Sequence, residues 1–311
     1  MASTPYAFTR GLDYDAIVSA SEQVAWTVDG ILDARSFDAS RTMVPTSWVG
    51  TDGLPFLDEE AQRTLNHCRA FSYVHLLGNY EEFIPFHLSA LVQQEPHGGR
   101  SQRRALLRFG DEEMKHQALF HGAETLLERS CGHPFGRHFD REGTRCAAFA
   151  QAFLEHGVLA RFLLLLAFEW GTQRHYVESI RDRAADVGDP LYADVLRAHW
   201  VEEAQHVKSD TLEIARLAAG MREAELDAAF EQLGSLGQLI DATLAGQASQ
   251  EVETLHAVTG RTLPAAEAAT LREVLHRSLS AIIVGVALGH PSFARVARDV
   301  SPTAAARLFG S

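Results

Sequence analysis

The chain has 311 residues, of which 46% are hydrophobic, and it carries 41 acidic against 28 basic side chains. This length and apolar content suffice for a packed interior and argue against a disordered chain. The net charge of -13 would repel a phosphate backbone, so we expect no nucleic-acid partner. Three widely spaced cysteines provide neither a disulfide framework nor a cysteine zinc site.

The N-terminal residues lack the basic stretch followed by an apolar run that is typical of a secretory signal. The two most apolar stretches, 158–168 and 281–289, are too short to cross a bilayer core of about 30 Å. We therefore expect a cytoplasmic protein that has no membrane partner.

Helical periodicity dominates the chain, and runs of alternating β-branched residues are almost absent, which predicts an all-α fold. The first helix is expected over roughly 13–28. A Gly- and Pro-punctuated connector over 41–56 follows it. A long helix should begin after Asp58, a plausible N-cap, and run to about residue 94.

A second helix over about 101–129 completes one helical hairpin. The third and fourth helices, over about 143–186 and 190–219, form a second hairpin. Residues 222–311 are expected to add outer helices, with breaks near Gly246, Gly260 and Gly289. The chain has no long linker rich in Pro, Gly or Ser, which predicts one domain over 1–311.

Four Glu-x-x-His sequences occur, more than the Glu and His content would give by chance. In a helix, residues three apart share a face, so each sequence can present a carboxylate beside an imidazole. The four pairs are Glu113/His116, Glu203/His206, Glu253/His256 and Glu273/His276. The last two have polar neighbours, and we expect them to be solvated surface pairs.

The first two pairs each follow a second glutamate that lies in an apolar helix face. Glu81 precedes Glu113 by 32 residues, and Glu169 precedes Glu203 by 34. Two antiparallel hairpins would bring all four carboxylates to one level of a four-helix core. Burying them without compensation would cost several kcal/mol apiece, whereas two divalent cations would balance their charge. Oxygen and imidazole ligands without thiolate favour iron or manganese.

His199 lies four residues before Glu203 and seven before His206, so the three share one helical stripe. We interpret His199 as a further metal ligand, with a core histidine as the alternative. Glu112 and Glu202 directly precede ligand glutamates. They are candidates for holding an imidazole N–H, or else they are exposed surface charges.

These residues resemble the para-aminobenzoate N-oxygenase (arylamine N-oxygenase) family of ferritin-like di-iron oxygenases, over roughly 40–301. The specific element is the His-x-x-x-Glu-x-x-His stripe of His199, Glu203 and His206. The YEEFI segment resembles the family's first ligand segment and places that ligand at Glu81, with Glu82 as the alternative. The resemblance implies a ferritin-like four-helix core with additional N- and C-terminal helices.

The resemblance also implies an activity: O2-dependent oxidation of an amine, often aromatic, to a hydroxylamine, nitroso or nitro product in a biosynthetic pathway such as antibiotic biosynthesis. Two iron ions (Fe2+/Fe3+), with manganese as an alternative, would do the chemistry without a further catalytic side chain. Electrons would come from a redox partner or a chemical reductant. The metal ligands would be Glu81, Glu113, His116, Glu169, His199, Glu203 and His206.

The segment 295–301 resembles a family segment whose second arginine lies beside the substrate carboxylate, which implicates Arg298 in substrate binding. The outer apolar faces of the long helices make a homodimer reasonable. The alternatives are a di-iron C–H hydroxylase or other oxidase on the same fold, a ferroxidase or metal-storage protein, a radical-generating subunit that uses Tyr176, and a metal-free helical protein.

Overall fold

A computed structural model describes residues 6–94, 99–139, 144–182 and 188–309. Within these ranges the regular structure is helical and no strand forms, which confirms the all-α class. The residues Tyr176–Arg181 and Ala281–Gly285 are π-helical. The α-helices are α1 (Tyr14–Val24), α2 (Val28–Leu32), α3 (Thr46–Val49), α4 (Glu59–Glu81), α5 (Ile84–Gln94), α6 (Arg100–Cys131), α7 (Thr144–Glu155), α8 (Val158–His175), α9 (Pro190–Ala218), α10 (Glu223–Thr259), α11 (Ala265–Ser280), α12 (Val286–Leu288), α13 (Pro291–Val300) and α14 (Pro302–Phe309).

Four of these helices form the core that positions the site. Helix α4 packs against α6, α8 packs against α9, and the contact between α6 and α9 joins the two hairpins. This is the ferritin-like arrangement expected from the sequence. The remaining helices surround it: α10 packs on both α4 and α8, and α11 packs on α10.

Two of the four core helices, α4 and α9, begin directly after a side-chain cap. The Asp58 side chain accepts a hydrogen bond from the Ala61 backbone N–H at 2.9 Å, at the start of α4. The Asp189 side chain accepts from the Leu191 N–H at 2.8 Å, directly before Pro190 in the first turn of α9. Helices α6 and α9 match their predicted ranges to within two residues at each end.

The long helix predicted from Asp58 to about residue 94 is instead two helices. Helix α4 ends at Glu81, and α5 begins at Ile84. Pro85 explains the break, because its ring would clash with the carbonyl of the residue four positions earlier, which is Glu81. The freed Glu81 carbonyl accepts a hydrogen bond from Gln117 Nε2 at 3.2 Å.

Two other predicted helices are also divided. The third is interrupted between α7 and α8 at Gly157, whose backbone N–H donates to Gln232 Oε1 at 2.7 Å. The first ends at Val24, and Thr27 caps the short helix α2. Gly157 and the capping residue Thr27 each mark the start of a new helix. Both lie inside a stretch whose apolar periodicity predicts one continuous helix.

The predicted break near Gly246 is wrong, since α10 runs unbroken from Glu223 to Thr259. A helical glycine costs about 1 kcal/mol relative to alanine. The aliphatic side chains that α10 buries, including Leu236, Ile240 and Leu244, contribute more than this, at roughly 1.5–3 kcal/mol each. The breaks predicted at Gly260 and Gly289 are confirmed.

The two Glu-x-x-His pairs near the C-terminus lie where the sequence predicts. Glu253 and Glu273 are exposed, and Glu273 pairs with Arg277. His276 contacts Asp241 at 3.1 Å, outside the four-helix core.

Candidate metal centre

Each core helix carries one of the four predicted carboxylates, and the structure brings them together. Glu81 is the last residue of α4, whereas Glu113, Glu169 and Glu203 lie within α6, α8 and α9. All four are buried, and the most accessible of them, Glu81, is 7% exposed. Glu82, the alternative first ligand, faces solvent.

Four of the residues form a first ligand group. Glu113, His116, Glu203 and His206 each offer one ligand atom, and these atoms lie within 4.8 Å of one another. His206 Nδ1 lies 2.9 Å from Glu113 Oε1 and 3.1 Å from Glu203 Oε1. His116 Nδ1 lies 3.3 Å from Glu203 Oε1. The Nδ1 atoms of both imidazoles therefore face the carboxylates between them.

A second group, formed by Glu81, His116 and His199, adjoins the first. His199 Nε2 lies 3.0 Å from Glu81 Oε1 and 3.1 Å from Glu203 Oε1. Glu169 lies at the other side of the centre, with Oε1 3.8 Å from His206 Nδ1. The seven predicted ligands thus converge on one buried volume that could hold two metal ions.

On the side that faces away from the centre, each imidazole of the first group hydrogen-bonds to a glutamate, and this glutamate belongs to the other of the two helices α6 and α9. Glu202 of α9 accepts from His116 Nε2 of α6 at 3.1 Å, and Glu112 of α6 accepts from His206 Nε2 of α9 at 3.2 Å. Both glutamates are fully buried and are not surface charges. A carboxylate that accepts the Nε2 proton fixes the tautomer in which Nδ1 presents its lone pair to the centre.

Cationic partners balance these two outer carboxylates. Lys115 Nζ lies 2.5 Å from Glu202 Oε1. Arg108 lies 3.1 Å from Glu112 Oε1, which also accepts from the Ser21 hydroxyl. Lys115 and Arg108 therefore nearly neutralise the charges of Glu202 and Glu112. The negative charge of the four inner glutamates is then available to balance that of metal ions.

The nitrogen and oxygen atoms that face the middle of the centre are arranged to bind metal ions rather than to hydrogen-bond to one another. Among the described residues, seven buried atoms of the centre have no hydrogen-bond partner. Some pairs, such as His206 Nδ1 and Glu113 Oε1, are close without having hydrogen-bond geometry. A buried polar atom without a partner costs about 1–3 kcal/mol, and a charged atom costs more, so metal coordination would remove a large penalty. The seven atoms are Glu81 Oε2, Glu113 Oε1 and Oε2, His116 Nδ1, Glu169 Oε2, Glu203 Oε1 and His206 Nδ1.

The pKa values of the inner residues are displaced in opposite directions. Burial, together with the neighbouring Glu113 carboxylate, raises the pKa of Glu81 well above its usual value. Burial would also raise the pKa of Glu113, but contacts with His116 and His206 hold it at about 2. Contacts with Glu113 and Glu202 raise the pKa of His116 to about 9 in spite of its burial. The residues therefore share protons among themselves, and cations that bind there would displace those protons.

An apolar cavity reaches the carboxylates Glu81, Glu169 and Glu203. Helices α4 and α8 form most of its wall, and Ile283 of the second π-helical segment contributes from the outer layer. The other lining residues are Tyr73, Leu76, Leu77, Tyr80, Phe83, Ile84, Phe149, Leu164, Leu165, Phe168, Gly171, Thr172 and His175.

Arg298, the predicted substrate-binding residue, does not line this cavity. It is exposed on α13, and its guanidinium lies 6.0 Å from the ring centroid of Phe309. The opposite face of α13 is the one that packs on the core, through Phe293, Val296 and Ala297. None of the residues described for α13 lines the cavity, so the structure does not bring Arg298 to it.

The aromatic side chains around the centre were not predicted from the sequence. Phe109 stacks on His206 with centroids 3.8 Å apart, and Trp26 stacks on His116 at 5.9 Å. The Tyr73 hydroxyl lies 2.6 Å from His175 Nδ1 in the cavity wall. Tyr176, by contrast, stacks on Trp200 and does not line the cavity. The position of Tyr73, two helical turns before Glu81, was the available signal.

No family model and no curated protein sequence matches the chain. Structures of R2-like ligand-binding oxidases reconstituted with a Mn/Fe cofactor align with it at 11–12% sequence identity, with TM-scores of 0.48–0.49. These alignments cover 87% of this chain and 92% of the oxidase chain. At this degree of similarity, the case for metal ions rests on the side chains described above.

Across the described residues, no single helix has both the length and the hydropathy of a membrane span. One bent pair, Ala265–Leu288 with Pro291–Val300 at 49°, meets the requirement of length and composition when taken together.

Proposed function

We propose that this protein is an O2-dependent, non-haem oxygenase that uses two metal ions to oxidise an amine nitrogen, most simply that of an arylamine. The ions would be iron, with manganese as the alternative, because carboxylate and imidazole ligands suit both. The observation that carries the proposal is a buried set of unpartnered ligand atoms that adjoins an apolar cavity.

The side chains divide into two roles in this proposal. Glu81, Glu113, His116, Glu169, His199, Glu203 and His206 would hold the ions, which when bound supply the activation of O2. Glu112 and Glu202 would keep the imidazoles in the ligating tautomer. The hydrocarbon wall of the cavity would exclude water and orient the substrate nitrogen towards the carboxylates. Electrons would come from an external donor.

The choice of an amine is supported by the stripe of His199, Glu203 and His206, in which the added histidine resembles the arylamine N-oxygenases. His199 lies 3.0 Å from Glu81 and 3.1 Å from Glu203, so its position suits a ligand of the same centre. A storage or ferroxidase protein would need no enclosed apolar cavity beside its metals. Hydroxylation of a C–H bond is the second candidate, since the same cavity would also orient a carbon atom.

Metal analysis and a single-turnover reaction test the proposal. Protein loaded with iron should bind about two ions per chain. After reduction and exposure to 18O2, it should place labelled oxygen on the nitrogen of a simple arylamine, as detected by mass spectrometry. Glu113→Ala should abolish both metal loading and product, whereas Glu253→Ala, in a surface Glu-x-x-His sequence, should change neither.

Each alternative gives a different result. Label found on carbon would favour the hydroxylase. Iron that is oxidised and retained as a mineral, without turnover of an organic substrate, would favour storage. Fully loaded protein that consumes no O2 in the presence of amines would contradict the oxygenase itself.

A further inference from the structure

The wall of the cavity is mainly hydrocarbon. Besides its three glutamates, it is formed by aliphatic and aromatic side chains from α4, α5, α7 and α8 and from the π-helical segment Ala281–Gly285. Of these, Leu164, Phe149 and Ile84 are each less than 5% exposed, so they are packed in place. A substrate whose nitrogen faces the carboxylates would rest its remaining atoms on this wall.

Two hydroxyl groups of the wall bond to neighbours within the protein, whereas His175 Nε2 is buried without a partner at hydrogen-bond geometry. The Tyr73 hydroxyl lies at hydrogen-bond distance, 2.6 Å, from His175 Nδ1, and the Thr172 hydroxyl donates to the Glu169 backbone carbonyl at 3.0 Å. Burial lowers the pKa of His175 to about 4, so its imidazole is uncharged near neutral pH. Within the described part of the chain, no lysine or arginine lines the cavity.

The two arginines of α8, Arg161 and Arg174, bond to residues that do not line the cavity, and Arg174 Nε lies 2.8 Å from Glu178 Oε1. Arg161 lies one helical turn before Leu164 and Leu165, and its Nη1 lies 3.0 Å from His87 Nδ1. Its guanidinium lies over the ring of Phe153, with 5.9 Å between the carbon and the ring centroid. Phe153 in turn packs on Phe83, a residue of the cavity wall, at 4.5 Å between centroids. The Arg161 guanidinium therefore contacts His87 and Phe153, neither of which lines the cavity.

We infer that the substrate is a neutral arylamine with an apolar ring substituent, rather than an aminobenzoate. The inference rests on the proposed function, because it takes the amine to face the carboxylates. A substituent on the far side of the ring then meets hydrocarbon, where a carboxylate would lose its hydration without gaining a cationic partner. A methyl or other alkyl group would instead bury apolar surface.

Two anilines with different para substituents, one apolar and one charged, test this inference: 4-methylaniline and 4-aminobenzoate. Binding to the metal-loaded full chain is measured by calorimetry without reductant, and oxidation is measured separately in single turnover. We expect 4-methylaniline to bind at least tenfold more tightly, and to be the substrate that is oxidised faster. Equal or tighter binding of 4-aminobenzoate, or the absence of binding by both compounds, would overturn the inference.

The two measurements separate this inference from the proposed function. If 4-aminobenzoate binds more tightly and is oxidised on nitrogen, the substrate class is wrong and the oxygenase stands. If 4-methylaniline binds more tightly but neither amine is oxidised, the preference for apolar ligands is upheld and the N-oxygenase is wrong.

Three variants locate the ligand. Ile283→Phe places a larger side chain in the cavity from a helical segment that carries no proposed metal ligand, and it should weaken 4-methylaniline binding at least tenfold with unchanged metal content. Ile283→Val is its conservative control. Arg161→Gln should leave the binding preference unchanged. Unaltered binding in Ile283→Phe, or a selective loss of 4-aminobenzoate binding in Arg161→Gln, would contradict the inferred pose.

Discussion

Glu112 and Glu202 show how single residues orient the centre without belonging to it. Each lies directly before a proposed ligand on its own helix, yet each bonds to the histidine of the other hairpin. Residues that are adjacent in a helix point in directions about 100° apart, so one can face inward while the other reaches a neighbouring helix. The two hairpins are thereby joined at the level of the proposed metal ligands.

Replacing Glu202 by Gln should weaken metal binding about 10–100-fold, the usual effect of losing such a partner. The amide can still accept from His116 Nε2, but it no longer supplies the charge that makes the imidazole a stronger ligand. Competition with a chromophoric chelator would measure the change. Glu253→Gln, at an exposed position, serves as the control. Equal affinities in the two variants would show that Glu202 has no effect on the centre.

The roles of single residues were predicted best where the chemistry of the side chain and its spacing along the helix indicate the same role. Glu81 was favoured over Glu82 because it shares the apolar face of its helix, and the structure buries only Glu81. Arg298 was chosen by resemblance alone, and the packing of α13 turns it to solvent. The Tyr73–His175 pair could not have been predicted, because it joins two helices whose relative rotation depends on the whole core.

Single residues also explain where the helices were predicted well and where they were not. Caps such as Asp58 and Asp189 act locally, so the helix starts that they mark were predicted correctly. Pro85 was overlooked within a strongly periodic stretch, and Gly246 was overvalued as a break. The effect of a glycine on a helix depends on the partner surface, which the sequence alone does not give.

Gly171 and Gly234 provide a matched test of this dependence, since both lie inside helices. A Cβ at Gly234 would meet nothing within 4 Å, whereas one at Gly171 would lie 3.3 Å from Ala287 Cα and 3.2 Å from its Cβ. Gly234→Ala should therefore raise the free energy of unfolding by about 1 kcal/mol. Gly171→Ala should lower it by about 1–3 kcal/mol, because α8 must move away from α12.

Urea denaturation of the two variants, each compared with the wild-type protein, would measure these changes. If both variants gain stability, the approach of α8 to α12 is looser than the contact indicates, and helix propensity alone decides the outcome.

At the scale of the whole molecule, a buried ion pair links the four-helix core to the outer helices. Arg69 of α4 donates to Glu251 of α10 at 2.7 Å, to the Trp48 carbonyl of α3 at 3.0 Å and to the Leu275 carbonyl of α11 at 3.1 Å. Burial raises the pKa of Glu251 even though Arg69 opposes the shift. The pair thus fixes how four helices meet more than it adds net stability.

Arg69→Met should lower the free energy of unfolding by about 3–5 kcal/mol, because it leaves Glu251 buried without a counter-ion. The double variant Arg69→Met/Glu251→Met should recover much of this loss, since two apolar side chains can replace a buried pair. Thermal and urea unfolding would measure both variants. A double variant that is no more stable than the single one would show that the carbonyl contacts of Arg69, and not its charge, matter most.

A cluster of exposed apolar side chains lies on α5 and α6. Phe86, Leu107 and Met114 are 54–68% exposed and line a shallow depression between the two helices. Such clusters are common at contacts between proteins. The homodimer expected from the sequence remains a prediction.

Because α4 ends at Glu81, the backbone that carries this carboxylate is less restricted than the backbone that carries the other three. Glu113, Glu169 and Glu203 project from the middle of helices, where the turns above and below restrict the backbone. Glu81 has helix on one side only and is followed by the turn before Pro85. A small backbone rotation at this junction would displace the Glu81 carboxylate without requiring α6, α8 or α9 to move. An incoming molecule could therefore be accommodated at one corner of the centre without loosening the rest of the bundle.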